Sequence, residues 1–221
     1  MNILAIDSAT EACSVALLRE DGEVFGEFEI APREHTRLLP EMMRRVLADS
    51  AVTKSMLSHC AFSNGPGAFT GIRIGAAQAQ GIGVGLDIPL VPISTLAVLA
   101  QTCFDRHPCN NALVALDARM QEIYWALYLR GENGCASLSG SEQLSTAAEM
   151  RCDAAVECGA GHGWLAELRS AAEIPIDVAL LPDARSLLRL AKQAVDQQRA
   201  VAAGDISINY LRNRVAEKAR S

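Results

Sequence analysis

The chain has 221 residues, half of them apolar, and a formal net charge of −6. That length can bury a sizeable core as one large domain or two small lobes, and the apolar content excludes a disordered chain. The acidic balance argues against strong unaided binding to a nucleic-acid backbone.

Strands are predicted at residues 2–7, 13–19 and 23–30, joined by short links as a meander. The third alternates acids with Val24, Phe28 and Ile30, the pattern of a half-exposed strand. A helix follows at 37–48. Its apolar stripe of Leu38, Leu39, Met42, Met43, Val46 and Leu47 lies opposite Glu41, Arg44, Arg45 and Asp49. Thr36 fits an N-cap, and Pro40 must sit in the first turn or bend the helix. Such a stripe is core or, with adaptable Met42 and Met43, a contact surface.

A strand at 59–63 leads through Gly65-Pro66-Gly67 into a helix at 70–85. Gly71, Gly75, Ala79 and Gly83 recur there every four residues, which sets them on one ridge. Interior glycines cost about 1 kcal/mol each against alanine, so bareness should bring close approach of another backbone. Either the ridge lies on the chain's own sheet, or it meets a helix of another subunit. A phosphate cradle at Gly65-Pro66-Gly67 is a weaker third reading.

A strand at 90–93 and a helix at 95–104 end the first half. The polar, proline-bearing stretch 105–111 is the best boundary. The second half repeats the order: strands at 112–116, 123–129 and near 136–138, a short helix at 146–150, a strand at 154–158, a helix at 163–172, a strand at 176–180 and a helix at 184–197. Residues 1–107 and 108–205 thus read as two lobes, each strand-strand-strand-helix-strand-helix-strand-helix. A basic tail at 206–221, carrying Arg212, Arg214, Lys218 and Arg220, either anchors through Tyr210 and Leu211, packing back on the first lobe, or touches an acidic partner or RNA. The expected class is α/β, a duplicated ribonuclease-H-like, actin-like ATPase fold of the sugar kinase, Hsp70 and actin kind, with a cleft between lobes.

The seven cysteines form no Cys-x-x-Cys pair; Cys13, Cys60 and Cys158 fall in predicted strands and read as buried free thiols. The N-terminus shows no basic, apolar, cleavable leader, and Arg73 and Asp87 interrupt the best candidate for a membrane span. The expectation is a cytoplasmic protein.

In that fold ATP or ADP would lie in the cleft. Asp7-Ser8-Ala9-Thr10 could hold phosphate, with Asp7 reaching a magnesium ion through water or bonded to its own turn's amides. Gly159-Ala160-Gly161 could lie against an adenine or form a plain strand-to-helix turn. The matching second hairpin instead reads Asp117-Ala118-Arg119-Met120, bulky where phosphate needs bare backbone. Asp7, Ser8, Thr10, Gly159 and Gly161 therefore read as a vestigial nucleotide cleft. The four histidines, His35, His59, His107 and His162, are isolated in sequence and could converge only in space; two histidines one helical turn apart, the usual zinc pair, are absent.

Six segments together carry a resemblance: 3–10 (ILAIDSAT), 33–36 (REHT), 65–75 (GPGAFTGIRIG), 94–96 (STL), 117–119 (DAR) and 210–212 (YLR). They resemble the bacterial TsaB (YeaZ) family, most specifically in the first half. The resemblance implies a non-catalytic subunit that pairs with TsaD, a paralogue of similar fold, and with the ATPase TsaE. Together these transfer a threonylcarbamoyl group to the adenosine beside the anticodon, and tRNA meets the subunit only through the complex. TsaD-like proteins carry a His-x-x-x-His metal pair where this chain has Thr95 and Leu99, neither of which replaces a histidine ligand. The family's pairing surface maps to the first lobe's two helices. The residues so implied are Leu39, Met42, Met43, Val46, Gly71, Ile74, Gly75, Gln78, Ala79 and Ile82, used for a homodimer when TsaD is absent. A small kinase or ATPase is the rival reading, and a peptidase ranks below it.

Overall fold

The computed structural model describes residues 1–152 and 154–212; the basic tail residues Arg214, Lys218 and Arg220 lie outside them. Two five-stranded sheets form the frame. In the first, β1 (Ile3–Asp7), β2 (Ala12–Leu18), β3 (Val24–Ile30), β4 (His59–Ser63) and β5 (Leu90–Ile93) take the order β3-β2-β1-β4-β5. The hairpin partners are antiparallel, with Ile3 opposite Leu18 and Asp7 opposite Ser14, whereas β1, β4 and β5 run parallel. The second sheet holds β6 (Asn111–Arg119), β7 (Glu122–Arg130), β8 (Ala136–Thr146), β9 (Cys158–Ala160) and β10 (Ile176–Asp177) in the order β10-β9-β6-β7-β8. Written from the other edge, this is the same topology. The duplication expected from element order is present.

Among the described residues five α-helices complete the fold: α1 (His35–Asp49), α2 (Phe69–Leu86), α3 (Thr95–Arg106), α4 (Ala166–Ala171) and α5 (Ala184–Asp196). Among the described residues none is long and apolar enough to cross a membrane. In the first lobe α1 and α2 bury Leu38, Leu39, Met42, Val46, Ala76 and Ala79 against one face of the sheet, around Leu4, Ile6, Val15 and Phe62. The other face is covered by α5, whose Leu187, Leu188, Ala191 and Ala194 meet Ile3, Ala5, Ala61 and Val91. Conversely α3 lays Leu96, Leu99, Ala100 and Phe104 on Ala112, Val114, Leu116 and Tyr128 of the second sheet. Each sheet thus takes one covering helix from the other half of the chain, and the two lobes share their cores across a sequence boundary that falls cleanly only for the strands.

Several local expectations need correction. Helix α1 starts at His35 with Glu34 as its N-cap residue, so Thr36 is inside it and Pro40 lies past the first turn. His35 is buried and its Nε2–H donates to the carbonyl of Ala12, 3.1 Å away, so contact with β2 fixes the start. No helix forms at 146–150. Strand β8 runs on to Thr146, whose amide and hydroxyl donate to the Glu149 carboxylate in a tight turn. Strand β9 begins at Cys158, four residues later than expected, and α4 is one and a half turns long. Cys158 is not a free thiol: it is disulfide-bonded to Cys109, while Cys13, Cys60, Cys103 and Cys135 are free and buried.

The described tail straps both lobes. Val201 pairs with Leu90, and Ile206 and Ile208 pack on the first core. Arg212 then reaches the β6–β7 hairpin, where it meets Glu122 at 2.5 Å and donates to the carbonyl of Ala118 at 3.0 Å.

Candidate functional site: an interlobe cleft and a two-faced helix

Between the lobes lies a cleft of about 1390 Å³. Its floor and walls come from the β1–β2 and β6–β7 hairpins, the Gly65-Pro66-Gly67 loop, the start of α2 and the tail. The first hairpin turns sharply, and the acid at its start, Asp7, is sealed. Asp7 is fully buried, accepts a hydrogen bond from the hydroxyl of Ser63 and another from the amide of Ala9 at 3.2 Å. Burial pushes its pKa up to about 6, against the lowering effect of those donors. Ser8 turns its hydroxyl away from the cleft, to the carbonyl of Gly71 at 2.9 Å. Thr10 alone of the three lines the cleft, and its hydroxyl oxygen accepts from the amide of Ala12 at 3.3 Å.

The adenine-side glycines are also used within the fold. A β-carbon on Gly159 would stand 2.7 Å from the indole of Trp164, whose Nε1–H donates to the carbonyl of Leu113 at 3.1 Å. Gly161 takes a φ of +99° and backs onto the carbonyl of Ala115 and the side chain of Leu99. Both serve a close-packed turn rather than the cleft wall. Leu99 is fully buried there and Thr95 is buried at the start of α3. In the second hairpin Arg119, Met120 and Gln121 all have positive φ, and the Met120 side chain is 81% exposed. Bulky side chains thus stand where phosphate oxygens would need bare amides.

The structure adds features that sequence spacing could not bring together. Glu11 on the first hairpin meets His162 of the second lobe, Oε2 to Nε2 3.4 Å. The His162 Nδ1 accepts the amide N–H of Asp117 at 3.0 Å, so in the neutral ring the proton is on Nε2, facing Glu11. That contact holds the Glu11 carboxyl below its usual range. Phe69 and Tyr210 line the cleft, and beside them Arg73 stacks over Phe69, 3.3 Å from the ring centroid, with Tyr210 at 5.5 Å. Behind the cleft Glu142 accepts from Ser94, from the Tyr128 hydroxyl at 2.8 Å and from Asn209 at 2.7 Å, tying both lobes to the tail. These partners are 14 to 67 residues apart in sequence, and no local pattern announces them.

Helix α2 carries small residues on two faces. The ridge singled out by its spacing, Gly71, Gly75, Ala79 and Gly83, faces inward. A β-carbon on Gly71 would strike the carbonyl of Ser8, one on Gly75 would stand 2.7 Å from the Ser8 hydroxyl, and Gly83 packs on Leu90 and Ala203. Leu39, Met42 and Val46 of α1 are likewise core. Six of the implied pairing residues, Leu39, Met42, Val46, Gly71, Gly75 and Ala79, are thus buried, and they hold the helices to their own sheet. Met43, Ile74, Gln78 and Ile82 keep partial exposure. A second set at the same four-residue spacing, Ala77, Gly81 and Gly85, points outward, with open space over both glycines. Phe69 is 56% and Val84 70% exposed on this helix.

Two sheets of matching order, hairpins facing each other across a cleft and helices crossing between halves define a duplicated α/β protein of the actin-like ATPase class. A family model described as "TsaD: tRNA N6-adenosine threonylcarbamoyltransferase" matches residues 28–157. The chain is 38% identical over 226 residues to the tRNA threonylcarbamoyladenosine biosynthesis protein TsaB of Escherichia coli K12, covering 99% of this chain and 97% of that one. It is 36% identical over 235 residues to the TsaB of Haemophilus influenzae, covering 99% and 96%. The solved structure of YeaZ from Pseudomonas aeruginosa superposes with a TM-score of 0.89 at 37% identity, over 95% of this chain and 99% of that one. The chain belongs to the TsaB family.

Proposed function

We propose that the chain is a non-catalytic scaffold subunit of a tRNA threonylcarbamoyladenosine transferase, acting by pairing with a TsaD-family partner. Full-length likeness to TsaB supports the pathway. The observation that carries the non-catalytic part is the state of the two hairpins. In the first, Asp7 is sealed from the cleft by Ser63 and Ala9 and Glu11 is engaged by His162, and the second is filled by Arg119 and Met120. Phosphoryl transfer rests on positioned charge and bare donors at the phosphates, and neither hairpin offers them.

The pairing surface in this reading is the groove where α1 meets α2. Met43 supplies an adaptable side chain, Ile74, Gln78 and Ile82 flank it, and Ala77, Gly81 and Gly85 let a partner helix approach closely. In the absence of TsaD the same groove pairs two copies of the chain. TsaE and tRNA join only through the assembled complex, and ATP or ADP, if held, lies near the junction with the partner rather than in the sealed hairpin.

Purification of the tagged chain from its native cell tests this. A TsaD-family protein should co-purify in equal amount, and the isolated chain should show no ATP turnover above an Asp7→Ala control. Turnover that depends on Asp7, with no TsaD-family protein retained, favours the rival kinase or ATPase and ends the scaffold reading.

A further inference from the structure

Away from the cleft, three cysteines from three segments converge in the second lobe. Cys103 lies in the last turn of α3, Cys109 in the loop before β6, and Cys158 opens β9. Their sulfurs all fall within 4.8 Å of one another, and all three residues are buried. Cys109 and Cys158 share a disulfide, and the Cys103 Sγ stands 3.5 Å from that of Cys158. A disulfide needs two sulfurs, and the third is at the spacing of metal ligands. Two thiolates bound to one tetrahedral Zn²⁺ at about 2.3 Å lie roughly 3.8 Å apart.

The frame around the sulfurs is held in place. Arg130 donates to the carbonyls of Phe104, His107 and Cys109 at 2.6, 3.0 and 3.0 Å, fixing the loop that presents Cys109. Its guanidinium also offsets anionic charge near Cys103. A surface cavity of about 490 Å³, lined by Pro108, Asn110 and Arg130, lies beside this loop.

We propose that, once the Cys109–Cys158 bond is reduced, Cys103, Cys109 and Cys158 form a three-thiolate site for a soft cation, Zn²⁺ or Cu⁺. Thiolate donors select such ions over Mg²⁺ or Ca²⁺. A dithiol supplies the two electrons and two protons that open the bond and becomes a disulfide itself. Binding of the cation then expels three protons, one from each thiol.

The test uses the full chain, reduced by dithiothreitol, freed of it without air, and titrated with Zn²⁺, with Co²⁺ as an optical stand-in, or with Cu⁺. One equivalent of Zn²⁺ or Cu⁺ should survive desalting, and Co²⁺ should develop a thiolate-to-cobalt charge-transfer band. The unreduced chain should retain none. Cys103→Ser and Cys109→Ser should each weaken binding by at least roughly tenfold, whereas Cys152→Ser, outside the cluster, should not. Circular dichroism checks that the variants fold; should either misfold, retention by the reduced wild-type chain against the unreduced chain decides. No retained equivalent, or an undiminished band in both folded variants, overturns the proposal.

Discussion

The two lobes share one strand order and differ in what covers their outer faces. In the first, α1 and α2 form a full helical layer whose inner side is core and whose outer side is bare. In the second, the corresponding cluster around Leu113, Ala115, Leu127 and Trp164 is covered by the six-residue α4 and by irregular chain bearing Met150, Val156 and Ile174. A helical layer can present a rigid, regular groove to another helix. Short turns with few apolar anchors cannot. Duplication supplied two frames, and in this account one became a docking platform while the other closes the cleft and holds the tail.

Substitutions can break that comparison, and the largest effect should come from the inner side of α2. Gly71→Leu places a side chain against the Ser8 carbonyl, a backbone atom that cannot yield. It should cost about 3 kcal/mol or more, beyond ordinary overpacking, seen as a large drop in the urea midpoint. A melt unchanged from the parent chain would contradict the inward ridge.

Next comes the contrast between hairpins. Asp7 has a folded pKa of about 6 against an ordinary 3.8. The folded state therefore binds the proton more tightly than the unfolded one. This contribution to stability is full below about pH 4, declines as pH rises through 6, and is flat above, a span on the order of 2–3 kcal/mol. Asp7→Asn should remove that decline in pH-resolved melts; an unchanged profile would show that Asp7 is not the group responsible. The smallest effect belongs to the link between lobes. His162→Ala should cost at most about 1 kcal/mol, because Glu11 and His162 are both partly exposed. It should also return the Glu11 carboxyl toward its usual range, read by carboxyl NMR titration.

Much of the frame was legible in the sequence. His59–Ser63 and Leu90–Ile93 stand where the sequence predicts them, as short runs between turn and helix signals, and the long helices differ only at their ends. Short segments of the second lobe were not. Residues 146–150 have helix-forming composition, yet β7 pairs with β8 as far as Thr146 and tertiary pairing overrides propensity. Gly71, Gly75, Ala79 and Gly83 have the same four-residue spacing as Ala77, Gly81 and Gly85, so periodicity cannot tell which ridge faces the sheet. That choice is made by Ser8, in the β1–β2 turn more than sixty residues upstream, and by Leu90 at the start of β5, which contact the helix from the sheet side. The Glu11–His162 pair and the cysteine cluster were invisible for the same reason.

Affinity for a TsaD-family protein, compared by titration calorimetry between the parent chain and Gly81→Leu, tests the docking platform most directly. Gly81 is exposed with open space above it, so leucine should preserve the fold and raise helix stability by up to about 1 kcal/mol. The account expects binding weakened at least roughly tenfold, about 1.4 kcal/mol, with the melt unchanged or higher. Binding at the parent affinity would contradict it.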